Sequence, residues 1–219
     1  MEEFTIILKL LNLDYNNDKT ISTLALSIRG ARELTERNIK TGKISTVLKF
    51  EKFEKQCENL TFESNKFIGL ATYLITIDLI GNLFSIKGKP QCADKFKQTL
   101  NQFSTLNIKQ IDSLKNLRNS LAHKFSLGNE SEIFEIDYST GKTEIIECAK
   151  EIYPSIKRTK PKEDKNFTTA YFHNICNLVE SIYNQLVLLN SKNEIELLKK
   201  YRNGNSIKIY DLMSMYFVK

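Results

Sequence analysis

Apolar side chains recur at threes and fours over most of this chain, the spacing that gathers them on one face of an α-helix. Between Asp18 and Lys40 the run is Ile21, Leu24, Ala25, Ile28, Ala31 and Leu34, with Asp18 or Thr20 placed to cap its start. A second helix is predicted over Ile44 to Leu60, through Val47, Leu48, Phe50 and Phe53. A third, more apolar one covers Phe67 to Phe84 and ends by Gly88 to Pro90. Ala93 to Phe103 reads as a shorter helix. Asn107 to Leu127 follows, with Ile108, Ile111, Leu114, Leu117, Leu121 and Phe125 at helical intervals.

After Gly128 the period changes. The stretch IFEIDYSTGKTEIIE alternates around Ser139-Thr140-Gly141-Lys142, turn chemistry that predicts a β-hairpin over about 132–147. Residues 155–165, SIKRTKPKEDK, are basic and contain Pro161, the composition of a solvated loop. Phe167 to Leu189 then returns to the helical period through Tyr171, Ile175, Leu178, Val179, Ile182 and Leu186. The C-terminal extension, 194–219, is mixed: a helical Glu194 to Tyr201, a turn at Asn203-Gly204-Asn205, and a final apolar run open to strand or helix. The pattern predicts one mainly α domain over 1–219, with the hairpin inserted after the helix that begins at Asn107.

Composition narrows the class. With 219 residues and 41% hydrophobic content the chain can bury a core, and 26% charged residues fit neither wholesale disorder nor a disulfide-stapled miniature. A net charge of +6 and a pI near 9.0 are compatible with a phosphate-bearing partner and do not require one. Cys57, Cys92, Cys148 and Cys176 form no CxxC pair, which favours reduced thiols in the cytoplasm over a zinc site. The opening MEEFTIILKLLNL carries acids where a secretory signal carries basic residues. Thr72, Thr76, Asp78, Gly81 and Asn82 interrupt the apolar stretch Phe67 to Phe84, which therefore reads as a core helix and not as a membrane span.

The candidate chemistry lies on the Asn107 to Leu127 helix. With Arg118 set at zero and about 100° per residue, Leu117, Leu121, Leu114, Phe125, Ile111 and Ala122 fall from roughly 260° through zero to about 40°. Arg118 thus emerges inside the apolar stripe, where an unpartnered guanidinium costs roughly several kcal/mol. Asp78 and Asn82, one turn apart on the preceding apolar helix, are its candidate partners. Lys115, Asn119, Asp112, His123 and Asn116 occupy about 60° to 160° on the same wheel, so Asn119 stands between Arg118 and His123. An imidazole exchanges a proton near neutral pH, a guanidinium forks onto phosphate oxygens, and a carboxamide can position either. The sequence has no Asp, Glu and His cluster of the two-metal kind, which favours a reaction that uses the 2′-hydroxyl of RNA as nucleophile and needs no metal or other cofactor.

Leu117-Arg118-Asn119-Ser120-Leu121-Ala122-His123 resembles the signature of HEPN-domain proteins, an Arg, a polar residue, three spacers and a His. The resemblance covers about 44–189 and implies an antiparallel helical bundle. Many HEPN proteins are metal-independent endoribonucleases, toxins or antiviral effectors, that work as homodimers with the two motifs facing each other. By that resemblance Arg118, Asn119 and His123 are catalytic: His123 moves the proton, Arg118 stabilises charge on the phosphorane and Asn119 holds the geometry, giving a 2′,3′-cyclic phosphate. The position two beyond the His, a Tyr in some HEPN toxins that a partner nucleotidyltransferase modifies, is Phe125 here. Lys115, Lys157, Arg158 and Lys160 are candidate contacts to the RNA backbone, and an antitoxin protein is a candidate partner. His173, flanked by Tyr171, Phe172 and Ile175, reads as a packing residue outside the site. Two rival readings stand beside the enzyme: a non-catalytic HEPN-type module binding RNA, a nucleotide or a protein, and a helical dimerisation scaffold.

Overall fold

The computed structural model describes residues 3–44, 55–124, 126–129, 132–149, 166–198, 201–202, 205–206 and 215–218. The fold is mainly α. Its helices are α1 (Glu3–Leu11), α2 (Thr23–Leu34), α3 (Lys55–Leu83), α4 (Lys95–Phe103), α5 (Ile108–Lys124) and α6 (Phe172–Ser191). The long α3 is the axis of the molecule, packed by α2, α4, α5 and α6. Its Leu70, Tyr73, Leu74, Ile77 and Ile80 are wholly buried. By length and composition Ser64–Leu83 would also cross a bilayer, but half of it is enclosed by the protein, which is the pattern of a core helix.

Local chemistry sets the helix ends. Asp18 and Thr20 do not cap α2. Ser22 does, accepting from Ala25 N at 3.0 Å while its hydroxyl donates to Leu10 O at 2.6 Å. Asp18 is instead occupied by Thr20 and Lys9, whose hydrogen bonds hold its carboxyl down at about 2. Nor does α2 run on to Lys40. It closes at Leu34, and Glu36 adopts a left-handed φ of 57° that turns the chain back on itself. Asp94 caps α4, and Asn107 and Gln110 cap α5 reciprocally, each side chain accepting from the other's backbone N–H. Of the helix expected over Ile44 to Leu60, residues 45–54 lie outside the described residues. Lys55 to Leu60 belong to α3, continuous with the apolar stretch.

The expected hairpin is not formed. Strands β3 (Glu132–Asp137) and β4 (Ile146–Ala149) are separated by β5 (Asn166–Tyr171), in the order β3-β5-β4. β5 runs parallel to β3, with Glu132 opposite Asn166 and Asp137 opposite Tyr171, and antiparallel to β4. Residues 166–171 had the look of a helix start because Phe167, Tyr171 and Ile175 sit four apart. Thr168 and Thr169 are β-branched, however, and Thr168 and Ala170 are buried in strand alternation.

The tail differs in the same way. Ile195–Leu197 is a strand, β6, paired antiparallel with β2 (Phe84–Ile86), where a helix from Glu194 to Tyr201 was expected. The short strands β7 (Tyr201–Arg202) and β8 (Asn205–Ser206) pair across the expected turn. The final apolar run gives β9 (Phe217–Val218), which pairs with β1 (Ile21–Ser22). The basic segment 155–165 lies outside the described residues.

Candidate functional site

Helix α5 buries Ile111, Leu114, Leu117 and Leu121 between α3 and α4 on one side and β4 on the other. Arg118 leaves this face with 16% of its side chain exposed. Its Nη2 donates to Asp78 Oδ1 at 2.9 Å. Its Nε lies 2.9 Å from Asp78 Oδ2, but the N–H is not aimed along that line, so this second contact is an attraction of charges and not a hydrogen bond. Nη1 donates to Asn119 Oδ1 at 2.7 Å, and the guanidinium carbon stands 5.4 Å from the centre of the Phe96 ring. The arginine in the apolar stripe is therefore compensated within the chain. Asn82, the other candidate partner, donates to the backbone oxygen of Asp78.

Asp78 is 25% exposed. Burial pushes its carboxyl above the ordinary range, and the Asp94 charge adds to this. The pull of Arg118 opposes the rise without cancelling it. Lys115 Nζ is paired with Asp94 Oδ2 at 2.6 Å, and Lys97 with Asp112. Burial raises Asp94, but its hydrogen bonds from Lys115 and the Lys97 N–H outweigh that and leave it lowered. Three acids thus alternate with three bases around the site. Lys115 is already engaged, and the face is not a bare cationic patch.

Asn119 is half-buried and His123, one turn further on, is exposed. Among the described residues no hydrogen bond reaches the His123 ring. His123 therefore stands at the solvent end of a strip whose inner end is the Arg118–Asp78 pair. Lys157, Arg158 and Lys160 lie outside the described residues. His173, on α6, packs edge-on against Phe172, and burial lowers its pKa, helped by the charges of Arg37 and Lys66.

Two polar clusters escaped the sequence reading. Arg32, on α2, is fully buried and donates from Nε and Nη2 to the two oxygens of Glu180 on α6, at 2.9 and 2.6 Å, and from Nη1 to the backbone oxygen of Ile39 at 2.6 Å. Tyr73 OH adds a third donor to Glu180 at 2.7 Å. The signal was present in the sequence: Arg32 lies four residues after Ile28, inside an apolar stripe just as Arg118 does. The second cluster surrounds Glu132, which opens β3 and is buried against Ser113, Asn116 and Thr168. Of these, Thr168 arrives only through the β3-β5 pairing that the hairpin reading missed.

Comparisons with protein-family models, with curated proteins and with solved structures give no match to this chain. The functional argument therefore rests on the residues themselves.

Proposed function

We propose that the protein is a metal-independent endoribonuclease of HEPN type, acting as a homodimer in a cytoplasmic toxin or antiviral role. The observation that carries the reading is the arrangement on α5: Arg118 is fixed by Asp78, Asn119 is bound to it, and His123 stands exposed one turn beyond. An arginine anchored on one edge is pre-organised, and its remaining N–H groups can meet a phosphate without first losing side-chain freedom. In this reaction a histidine takes the 2′-hydroxyl proton and O2′ forms a bond to phosphorus. The bond from phosphorus to O5′ breaks, and the leaving oxygen takes a proton from a histidine. The products are a 2′,3′-cyclic phosphate and a 5′-hydroxyl. One His123 per chain supplies one proton-transfer group, and a second copy across the cleft supplies the other.

The Arg118–Asp78 pair also favours a second reading, a non-catalytic module that binds RNA, because a guanidinium already neutralised by a carboxylate stabilises a phosphorane less than a free one. Purified protein incubated with a mixed RNA pool in the presence of EDTA separates the two. Cleavage should leave cyclic phosphate ends and fall at least about 100-fold in both Arg118→Ala and His123→Ala. Retained RNA binding with no cleavage by the wild type would establish the module instead. A monomer at concentrations well above those used for activity would end the shared-cleft arrangement.

A further inference from the structure

Glu132 is 5% exposed, and among the described residues no cation pairs with it. Ser113 Oγ and Thr168 Oγ1 donate to its Oε1, at 2.9 and 2.5 Å, and Asn116 Nδ2 donates to its Oε2 at 3.0 Å. A carboxylate oxygen only accepts, so Glu132 determines which end of the Asn116 carboxamide faces it: the nitrogen. The oxygen is left over, and among the described residues nothing donates to it.

The wheel places the neighbours of Asn116 on its two sides. Ser113 and Asn116 lie at about 220° and 160° from Arg118, which places Glu132 over the edge between them. Asn119 and His123, at about 100° and 140°, lie on the other side of Asn116. With its nitrogen bound to Glu132, the half-buried Asn116 keeps Oδ1 unengaged among the described residues, and the strip that carries Asn119 and His123 lies on the side of Asn116 away from Glu132. A glutamine in place of Glu132 offers one oxygen and one nitrogen, and the Ser113 and Thr168 hydroxyls can accept as well as donate, so it no longer dictates which end of Asn116 faces it. The acid is what makes the polarity of the strip permanent.

We propose that Asn116, locked by Glu132, is a base-reading residue, and that its carboxamide oxygen accepts a hydrogen bond from the amino group of an adenine or cytosine beside the cleaved phosphate. This rests on the RNA-cutting reading above. Asn116 is seven residues from His123, about 10 Å along the helix, comparable to the span from a phosphate to the pairing edge of its neighbouring base. Adenine N6 and cytosine N4 carry N–H donors where guanine O6 and uracil O4 are acceptors, so an acceptor held at that exocyclic position separates the two pairs, and the other N–H groups of guanine and uracil reach it only if the base shifts along its edge. Glu132 touches no substrate and acts as a positioning residue.

The test uses 12-nucleotide homo-oligomers of A, C, G and U. Cleavage is measured as kcat/KM, and binding by fluorescence anisotropy in a His123→Ala background, where the RNA stays intact. Wild type should favour A and C over G and U at least tenfold in both assays. Glu132→Gln leaves either end of Asn116 free to face outward, so the preference for A and C over G and U should fall to near one. The double variant Glu132→Gln with Asn116→Asp should restore the original order, because an aspartate offers only oxygens and the amide introduced by Glu132→Gln can donate to it. Ser113→Ala, which removes a different partner of Glu132, should leave the order unchanged. If Glu132→Gln does not fold, Asn116→Ala carries the test and should flatten the preference.

An unchanged base order in a folded Glu132→Gln or Asn116→Ala protein overturns the proposal, and so does a wild type that binds all four RNAs alike. If the wild type cuts nothing while binding follows the expected order and loses it in Glu132→Gln, the cleavage reading fails and the base-reading residue stands. If cleavage is intact and the order never moves, the reverse holds.

Discussion

Two arginines emerge inside apolar helical stripes, and the fold treats them differently. Arg32 is 1% exposed, and each of its three nitrogens donates to an internal oxygen, two on Glu180 and one on the backbone of Ile39. The Tyr183 ring lies 5.6 Å from its guanidinium carbon, and Gly42, with φ of 69°, packs so close that a side chain there would collide with the Glu180 carboxylate. Nothing on this arginine is left for a ligand. Arg118 has one carboxylate partner, one carboxamide partner and an open edge, and its neighbours on the helix surface are Asn119 and an exposed His123. An arginine in an apolar stripe therefore signals only that a partner carboxylate exists. Whether donors remain pointing outward is what separates a brace from a candidate site.

The largest expected effect tests the brace. Glu180→Ala removes both carboxylate acceptors of a buried guanidinium and should cost about 3–5 kcal/mol of folding stability. Asp78→Ala strips a partner from an arginine that water can still reach and should cost about 1–2 kcal/mol, between the values for buried and exposed pairs. Urea unfolding of the two variants beside the wild type measures both. Equal losses would erase the distinction between the pairs. In the reading proposed above, Asp78→Ala also frees Arg118 to wander, so cleavage should drop at least tenfold in a protein that remains folded at assay temperature, a loss the Glu180 site has no direct route to produce.

A smaller effect concerns pH. Burial lowers the pKa of His173 below its ordinary 6.5, and Arg37 and Lys66 push in the same direction. Within the window from 6.5 down to that lowered value, the unfolded chain binds a proton that the folded chain refuses. The stability His173 contributes is thus fully present above pH 6.5 and is lost as pH falls through the window. His123 is exposed and stands apart from this cluster. Thermal melts between pH 7.5 and 5 should show a decline in wild type that is shallower in His173→Gln. A decline of the same steepness in His173→Gln would overturn the assignment.

The helices were legible because their signal is local. The apolar spacing of α2, α4, α5 and α6 located each of them, with errors at their ends, from capping chemistry at Ser22 and from the strand pairing that claims Asn166–Tyr171, while α1 was not read as a helix. The anomaly of Arg118 was legible for the same reason, and Asp78, two helices earlier on the apolar α3, was one of the two partners named for it. What stayed hidden depends on distant sequence. Glu180 lies 148 residues from Arg32, and no spacing rule joins them. β5 inserts between β3 and β4 from beyond the basic segment, so the alternation in 133–147 predicted strands correctly and paired them wrongly. The same long-range step brings Thr168 to Glu132, the carboxylate whose other oxygen binds Asn116.

The finest distinction falls between the Arg118–Asp78 pair and its neighbour, Lys115–Asp94. Lys115 is 34% exposed and Asp94 24%, so their bond is close to a surface ion pair despite its 2.6 Å length. Lys115→Met should change stability by less than about 1 kcal/mol, because the exposed charges lose little attraction and the methionine keeps the apolar stem. Its effect should appear in RNA binding. A lysine that reaches a phosphate releases a counterion, so the variant should weaken binding to all four homo-oligomers alike and reduce the slope of log affinity against log salt by about 1. Asp94 would then be the rest position of a side chain that swings to the RNA. A slope that does not move would return Lys115 to a purely structural role at the start of α4, and among the described residues Arg118 would remain the cation on this face with a claim on the phosphate.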